Sequence, residues 1–240
     1  PATGMPTWTE QGDLLFAVHG GHGEFPKIVL TPGDNDEMFE LTLKAYDLAD
    51  IYQTPVIVMS DMLLSESHRS LSKDLVEKYI KTYRPNRGKL LDQTKTKPYL
   101  RYQITSDGIS PKLIPGSPDA FYQSNSYEHL EDGHTTEESK DRIDQVDKRA
   151  RKIDTYFKDH FVAPQVYGNL EDAQTVFVTW GSSKGVVLDA QEKLSLSGKK
   201  SALIHFTHVF PLKRELIMPL FDKKKKYVLV ENNSQGQFGK

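Results

Sequence analysis

The 240-residue chain has no cysteine, which rules out disulfides, cysteine nucleophiles, thiolate zinc sites and any iron–sulfur cluster held by its own side chains. It also lacks an excess of either charge. Its 31 Lys and Arg against 33 Asp and Glu give a net of -2, where a nucleic-acid binder would carry a basic surplus. No apolar run is long enough to span a bilayer, and no signal-peptide pattern is visible. The expectation is a cytoplasmic protein that engages neither nucleic acid nor membrane. What is present, 37% apolar residues, suffices for one large core or two modest ones.

Residues 1–30 are the densest stretch. Thr7-Trp8-Thr9-Glu10 reads as a capping box, with Thr7 at the N-cap and Glu10 three residues on. The helix it would start carries Leu14, Leu15 and Val18 and stops at Gly20-Gly21. Residues 27–31 read as a short strand closed by Pro32-Gly33, and Asp34-x-x-Glu37 repeats the capping logic. Met38, Leu41, Leu43, Ala45, Leu48 and Ile51 then stripe a helix, and residues 56–59 read as a strand buried on both faces. Helix, strand, helix, strand predicts a parallel α/β sheet.

From about residue 63 to 165 that pattern breaks. A polar helix over 70–83 is followed by a Pro/Gly/Lys-rich run over 84–98, and turn signals crowd residues 107–116. A charged helix over 137–161 follows, with Ile143, Val146, Ala150, Ile153, Phe157 and Phe161 as its predicted packing stripe. Strands at 175–180, 201–206 and 227–230 alternate with helices at 184–194 and 213–221, predicting a second α/β piece. The division is therefore 1–62, 63–165 and 166–240.

Several clusters could carry chemistry. The predicted helix entry at Thr7 and Thr9 offers free N–H groups and a positive dipole end to a carboxylate or phosphate, although threonine more commonly just caps. His19-Gly20-Gly21-His22-Gly23-Glu24 has the spacing of zinc ligands. Three glycines and the lack of a fourth ligand favour a loop lining a cleft or an interface, and no metal is assigned. Glu128-His129-Leu130-Glu131-Asp132-Gly133-His134 reads as a polar turn before a helix capped by Thr135 or Thr136. Gly181-Ser182-Ser183-Lys184-Gly185 sits where a phosphate loop would but lacks the spacing, so it reads as a tight turn. No nucleophile–base–acid arrangement is defensible, so no catalytic side chain is assigned.

The string Pro1-Ala2-Thr3-Gly4-Met5-Pro6-Thr7-Trp8-Thr9-Glu10-Gln11, with Asp13-Leu14 and His22-Gly23-Glu24, resembles the alpha subunit of 2-oxoacid:ferredoxin oxidoreductases. So do Tyr52-Gln53-Thr54-Pro55-Val56, Ser60-Asp61, Asp107-Gly108-Ile109-Ser110-Pro111, Pro115-Gly116, Glu128-His129, Gly133-His134, Thr179-Trp180-Gly181-Ser182, Val230-Glu231-Asn232-Asn233 and Gly236-Gln237. The resemblance covers the whole chain and is nearest to the 2-oxoglutarate branch. It implies an incomplete pyrimidine-type thiamine diphosphate domain plus a smaller transketolase-C-like domain. The implied reaction is oxidative decarboxylation of a 2-oxoacid to an acyl-CoA, with coenzyme A as co-substrate.

The resemblance further implies a beta subunit that holds most of the thiamine diphosphate, its Mg and a [4Fe-4S] cluster, with electrons passing to ferredoxin. Thr9 would touch substrate, with Thr7, Thr3 and Gly4 shaping the turn. Loop 19–24 (His19, Gly20, Gly21, His22, Glu24) would line the cleft or the subunit interface, and Glu128, His129 and His134 would face coenzyme A or that interface. The family's substrate arginine would stand just before Pro1, and its Y-P-I-T-P stretch and activating glutamate further upstream. The sequence is therefore read as truncated at both ends and inactive alone. Pyruvate or branched-chain 2-oxoacids are the alternative substrates. A non-catalytic assembly module derived from the family is the alternative function.

Overall fold

The structure is a computed structural model, and it describes residues 7–94 and 96–240. The first elements are α1 (Leu14–His19), β1 (Ile28–Leu30), α2 (Asn35–Tyr52), β2 (Val56–Val58), α3 (Met62–Glu66) and α4 (Lys73–Thr82). A short pair, β3 (Leu90–Leu91) and β4 (Lys112–Leu113), precedes the long α5 (Ser139–Asp159). Then come β5 (Gln165–Tyr167), β6 (Thr175–Trp180), α6 (Ser183–Leu196), β7 (Ser201–Phe206), β8 (His208–Phe210), α7 (Arg214–Ile217), a 3-10 turn (Met218–Leu220) and β9 (Lys226–Val230).

Two larger sheets result. The first runs β2-β1-β8, with β1 and β2 parallel and in register from Ile28 opposite Val56. The second runs β5-β7-β6-β9, with β6 parallel to both neighbours. Each sheet has one antiparallel strand at its edge, β8 on the first and β5 on the second, so the α/β fold is mixed rather than wholly parallel. The Asp34 cap forms as its sequence predicts. Its carboxylate accepts the Glu37 N–H at 2.9 Å, while the Glu37 carboxylate accepts the Gly33 N–H at 2.7 Å.

β1 is buried throughout and separates two cores by the two-residue alternation of a strand. Val29 joins Leu14, Val176, Val178, Trp180, Ile204 and Phe206 between the sheets. Ile28 and Leu30 face Leu48, Ile51, Tyr52 and Tyr156, which sit on α2 and α5.

Three expectations fail. The capping box at Thr7 and Glu10 does not start a helix, because α1 begins only at Leu14, after Asp13. The Gln11 N–H is instead committed across the molecule to the Asn232 carbonyl, which holds residues 9–12 irregular. β2 is an edge strand and only half buried, not covered on both faces. The inward face of α5 is centred on Gln145, Lys148, Lys152 and Tyr156; of the expected stripe Ile143 is exposed, while Phe157 and Phe161 do pack against the core. Gln145, Lys148 and Lys152 meet backbone carbonyls, which take glutamine and lysine better than isoleucine, and the Tyr156 hydroxyl meets His208 Nδ1.

Candidate functional site

The C-terminal edges of β1, β2, β6 and β9 converge, which is where open α/β sheets place their ligands. Residues 7–13 cross this edge, and Gln11 is their anchor, only 3% exposed. Its Nε2 donates to the Trp180 carbonyl at 2.9 Å. Its Oε1 accepts the Asn232 N–H at 2.7 Å and the Ser183 hydroxyl at 3.0 Å. Its backbone N–H donates to the Asn232 carbonyl at 2.7 Å, and its carbonyl accepts Asn233 Nδ2 at 3.3 Å. Gly181 must be glycine here. Its φ is +60°, and a Cβ would stand 2.8 Å from Gln11 Nε2.

The neighbours extend the network. Asn232 Nδ2 donates to the Thr9 carbonyl at 2.8 Å. Glu231 accepts from Trp180 Nε1 at 3.3 Å and Asn233 Nδ2 at 2.7 Å. Asp61 caps α3 through the Leu64 N–H at 3.1 Å, and its other oxygen accepts the Ser182 hydroxyl, joining the end of β2 to the end of β6. The cleft lined by Glu10, Asp61, Ser60, Ser182 and Trp180 encloses about 20 Å³. That is room for a water, so a larger group would lie against this face rather than inside it.

Behind the edge, a buried charge cluster ties the two sheets. Lys184 Nζ, on the first turn of α6, meets Asp34 at 2.6 Å and Glu37 at 2.5 Å. His205 Nε2 lies 3.2 Å from the other Glu37 oxygen. Burial alone would raise the Glu37 carboxyl. The hydrogen bonds from His205, Lys184 and the Gly33 N–H overcome it and hold the pKa at about 2. Burial works against the Lys184 ammonium too, yet its bonds to Asp34 and Glu37 raise it above the usual lysine range.

Of the residues singled out from sequence, Thr9 is on the converging edge and Thr7 stands beside it, exposed. Thr3 and Gly4 lie outside the described residues. His19, the last residue of α1, is exposed, as are Gly21, His22 and Glu24 on the turn after it, with Gly20 half buried. Lys27 Nζ ties this turn down through the Gly20 carbonyl at 2.6 Å. Among the described residues, no group of three or more His, Asp or Glu is placed to hold a metal.

Loop 128–134 is elsewhere, packed on α5. Glu128 is held by Arg149 through two bonds of 2.9 and 2.7 Å, which keep its carboxyl below the usual range. The His129 ring stacks on Tyr102 at 3.8 Å, and its pKa is lowered chiefly by burial. His134 Nδ1 is 3.0 Å from Asp132. The expected threonine cap does not form. The N-cap of α5 is Glu138, without a side-chain cap bond, and Thr136 instead closes the turn before it, accepting the Glu138 N–H at 3.1 Å and donating to Asp141 at 2.8 Å. Sequence reasoning missed the parts played by Gln11, Asn232, Glu37, Lys184 and His205. Gln11 and Asn232 lie within the motif strings, so their identity was visible and their partnership was not.

Residues 1–148 match the family described as pyruvate flavodoxin/ferredoxin oxidoreductase, thiamine diphosphate-binding. A 2-oxoacid:ferredoxin oxidoreductase subunit alpha from Saccharolobus solfataricus is 39% identical over 100% of this chain and 37% of its own length. A 2-oxoglutarate synthase subunit KorA from Methanocaldococcus jannaschii is 29% identical over 97% of this chain and 60% of its own. A solved structure is also similar, the 2-oxoglutarate:ferredoxin oxidoreductase from Magnetococcus marinus with 2-oxoglutarate, coenzyme A and succinyl-CoA bound. Its TM-score is 0.82 at 32% identity, covering 100% of this chain and 41% of that one. The chain thus spans well under half the length of the Saccharolobus relative. With matches of this extent, the chain belongs to the 2-oxoacid:ferredoxin oxidoreductase alpha-subunit family and carries its thiamine diphosphate-binding region over residues 1–148.

Proposed function

We propose that the chain forms part of the alpha subunit of a thiamine diphosphate-dependent 2-oxoglutarate:ferredoxin oxidoreductase. The reaction joins a 2-oxoacid and coenzyme A to give the acyl-CoA, carbon dioxide and a proton, while two ferredoxins each take one electron. The observation that carries this reading is the convergence of four separate motif strings, around Gln11, Asp61, Trp180 and Asn232, on one strand edge. The 2-oxoglutarate preference is supported by the names of the Methanocaldococcus and Magnetococcus proteins. In this reading residues 1–62 belong to the pyrimidine-type unit, 63–165 form a wrapping linker with amphipathic helices and 166–240 form the transketolase-C-like unit, incomplete at its C-terminal end.

The residues present fit the pyrimidine end of the cofactor and not its diphosphate end. The cleft is lined by carboxylates and hydroxyls, Glu10, Asp61, Ser60 and Ser182, which suit an amino-substituted heterocycle. Among the described residues no Lys or Arg lines it to meet a diphosphate, which favours a beta subunit as the holder of the diphosphate and its Mg. When bound, thiamine diphosphate supplies the electron sink for decarboxylation. A chain without cysteine leaves the [4Fe-4S] cluster to the same partner. This chain's task is to place the substrate. The Thr9 hydroxyl donates to the 2-oxoacid carboxylate, with Thr7, Thr3 and Gly4 shaping the turn that presents it. The exposed loop from His19 to Glu24 and the loop from Glu128 to His134 serve as interface segments, the latter toward coenzyme A. The working enzyme is cytoplasmic.

The test is the complex assembled from the full-length alpha subunit and its partners, assayed by 2-oxoacid-dependent reduction of a viologen dye. Thr9→Ala removes one hydrogen bond to a charged group, so kcat/KM for 2-oxoglutarate should fall by about 10- to 100-fold. An unchanged value refutes the Thr9 assignment. A 2-oxoacid panel on the same complex decides between 2-oxoglutarate, pyruvate and branched-chain substrates.

A further inference from the structure

We infer that Asn232, at the end of β9, is the residue that positions Thr9 for substrate, an inference that rests on the reading of Thr9 as the substrate contact. The segment bearing Thr9 is anchored two residues further on, at Gln11, and Thr9 itself is held less firmly. The segment is not helical, Thr7 and Trp8 are exposed, and Thr9 itself is only half buried, so packing does not fix its height above the sheet edge. Hydrogen bonds must, and among the described residues one reaches Thr9 itself, from Asn232 Nδ2 to the Thr9 carbonyl at 2.8 Å.

Asn232 is equipped for this. Its own backbone is pinned at both polar atoms by a buried residue, its N–H donating to Gln11 Oε1 and its carbonyl accepting the Gln11 N–H, each at 2.7 Å. Gln11 is in turn fixed to the end of β6 through Trp180 and to the start of α6 through Ser183. The side-chain amide of Asn232 therefore projects from a rigid base toward the backbone of the substrate-contacting residue. The consequence is a division of labour. The second sheet, which supplies neither the motif threonine nor the cleft's carboxylates, sets where the Thr9 hydroxyl stands.

Asn232 is exposed, so truncating it leaves no cavity, and Asn232→Ala should fold. In the assembled complex this variant should raise KM for 2-oxoglutarate about tenfold, change kcat by less than about twofold, and leave the thermal midpoint in place. Thr9→Ala alone should raise KM too. The decisive measurement is the double variant. If Asn232 acts through Thr9, Asn232→Ala should add nothing in the Thr9→Ala background. The inference is overturned if Asn232→Ala leaves KM unchanged. It is equally overturned if its effect multiplies with that of Thr9→Ala, or if kcat and the thermal midpoint fall together. A silent Thr9→Ala removes the underlying reading, and the inference with it. That outcome is read from the single variant and so is told apart from a failure of Asn232 alone.

Discussion

Lys184 and Lys148 are both buried, at 7% and 4% exposure, and the fold treats them in opposite ways. Lys184 sits at the seam between the sheets, within 2.6 Å of two carboxylates, and its ammonium is raised above the usual range. Lys148, on the inner face of α5, donates to the Tyr102 carbonyl at 3.0 Å. Lys152, one turn on, donates to the Gln53 carbonyl at 2.9 Å. Neither is paired with a carboxylate among the described residues. Burial pushes Lys148 down to about 7, helped by Lys152, Arg101 and Arg149, and pushes Lys152 down to about 8. What holds Lys152 is the end of a helix. Gln53 is the left-handed C-cap of α2, whose last carbonyls carry negative partial charge, and Lys112 joins there through the Asp50 carbonyl at 3.2 Å. The seam is locked by opposite charges, whereas the inner face of α5 is clipped to carbonyls and a helix end by these two lysines, with Arg87 and Lys112 pairing Asp50 beside it.

Removing a partner should therefore hurt most at the seam. Lys184→Met leaves Glu37 buried with only His205 and the Gly33 N–H, and breaking such a pair costs about 3–5 kcal/mol. Denaturant titration of the chain measures it. A loss below about 1 kcal/mol would mean that the seam is wet and that the pairing matters little.

The two regions also respond to pH at opposite ends. Glu37 has a carboxyl depressed in the fold, from an ordinary 4.5 to about 2, so its contribution is complete above pH 4.5 and is lost as pH falls toward 2. At about 1.4 kcal/mol per pH unit this amounts to about 3 kcal/mol. Lys148 and Lys152 are also depressed, but they are cations. Between about 7 and the ordinary 10.5 the unfolded chain holds protons that the folded chain does not, so stability rises with pH across that window. Above pH 10 the buried Tyr52 and Tyr156, whose hydroxyls are raised chiefly by burial, work the other way. Denaturation midpoints at pH 3, 5, 7 and 9 should show an acid loss and an alkaline gain. A flat profile from 7 to 9 would say that the lysines are hydrated.

The difference between the regions also explains what the sequence could show. Ile28–Leu30, Asp34 with Glu37, and Ser201–Phe206 declare themselves by short-range apolar and capping patterns, and those elements form where expected. Along α5 and just past it the same rule finds Phe157 and Phe161 but misses the centre of the buried face, because that part satisfies carbonyls of other segments and so is written in Lys and Gln. The strand β8 carries too few residues for alternation to register, and its pairing with β1 joins positions far apart in the chain. The site follows suit. Thr9 stood out within its motif, yet what fixes it is Gln11 bonding Trp180, 169 residues away, and Asn232, 221 residues away. The Thr7–Glu10 signature was a sound local signal that lost to that long-range network.

The smallest expected effect is the sharpest test of the contrast. Lys148→Met keeps the unbranched side chain, one atom shorter, and removes an ammonium that the fold desolvates with no carboxylate paired to it among the described residues. The Tyr102 carbonyl is not orphaned by the change, since Gln145 Nε2 still donates to it at 3.3 Å. The lost bond and the relieved burial of charge should nearly cancel, leaving stability at pH 7 within about 1 kcal/mol of the parent, on either side. The variant should also lose part of the rise between pH 7 and 9, because one of the two titrating groups is gone. If Lys148→Met instead costs as much as Lys184→Met, and the cost persists at pH 9, then Lys148 is held by a pairing as strong as the seam's, and the two regions are built alike.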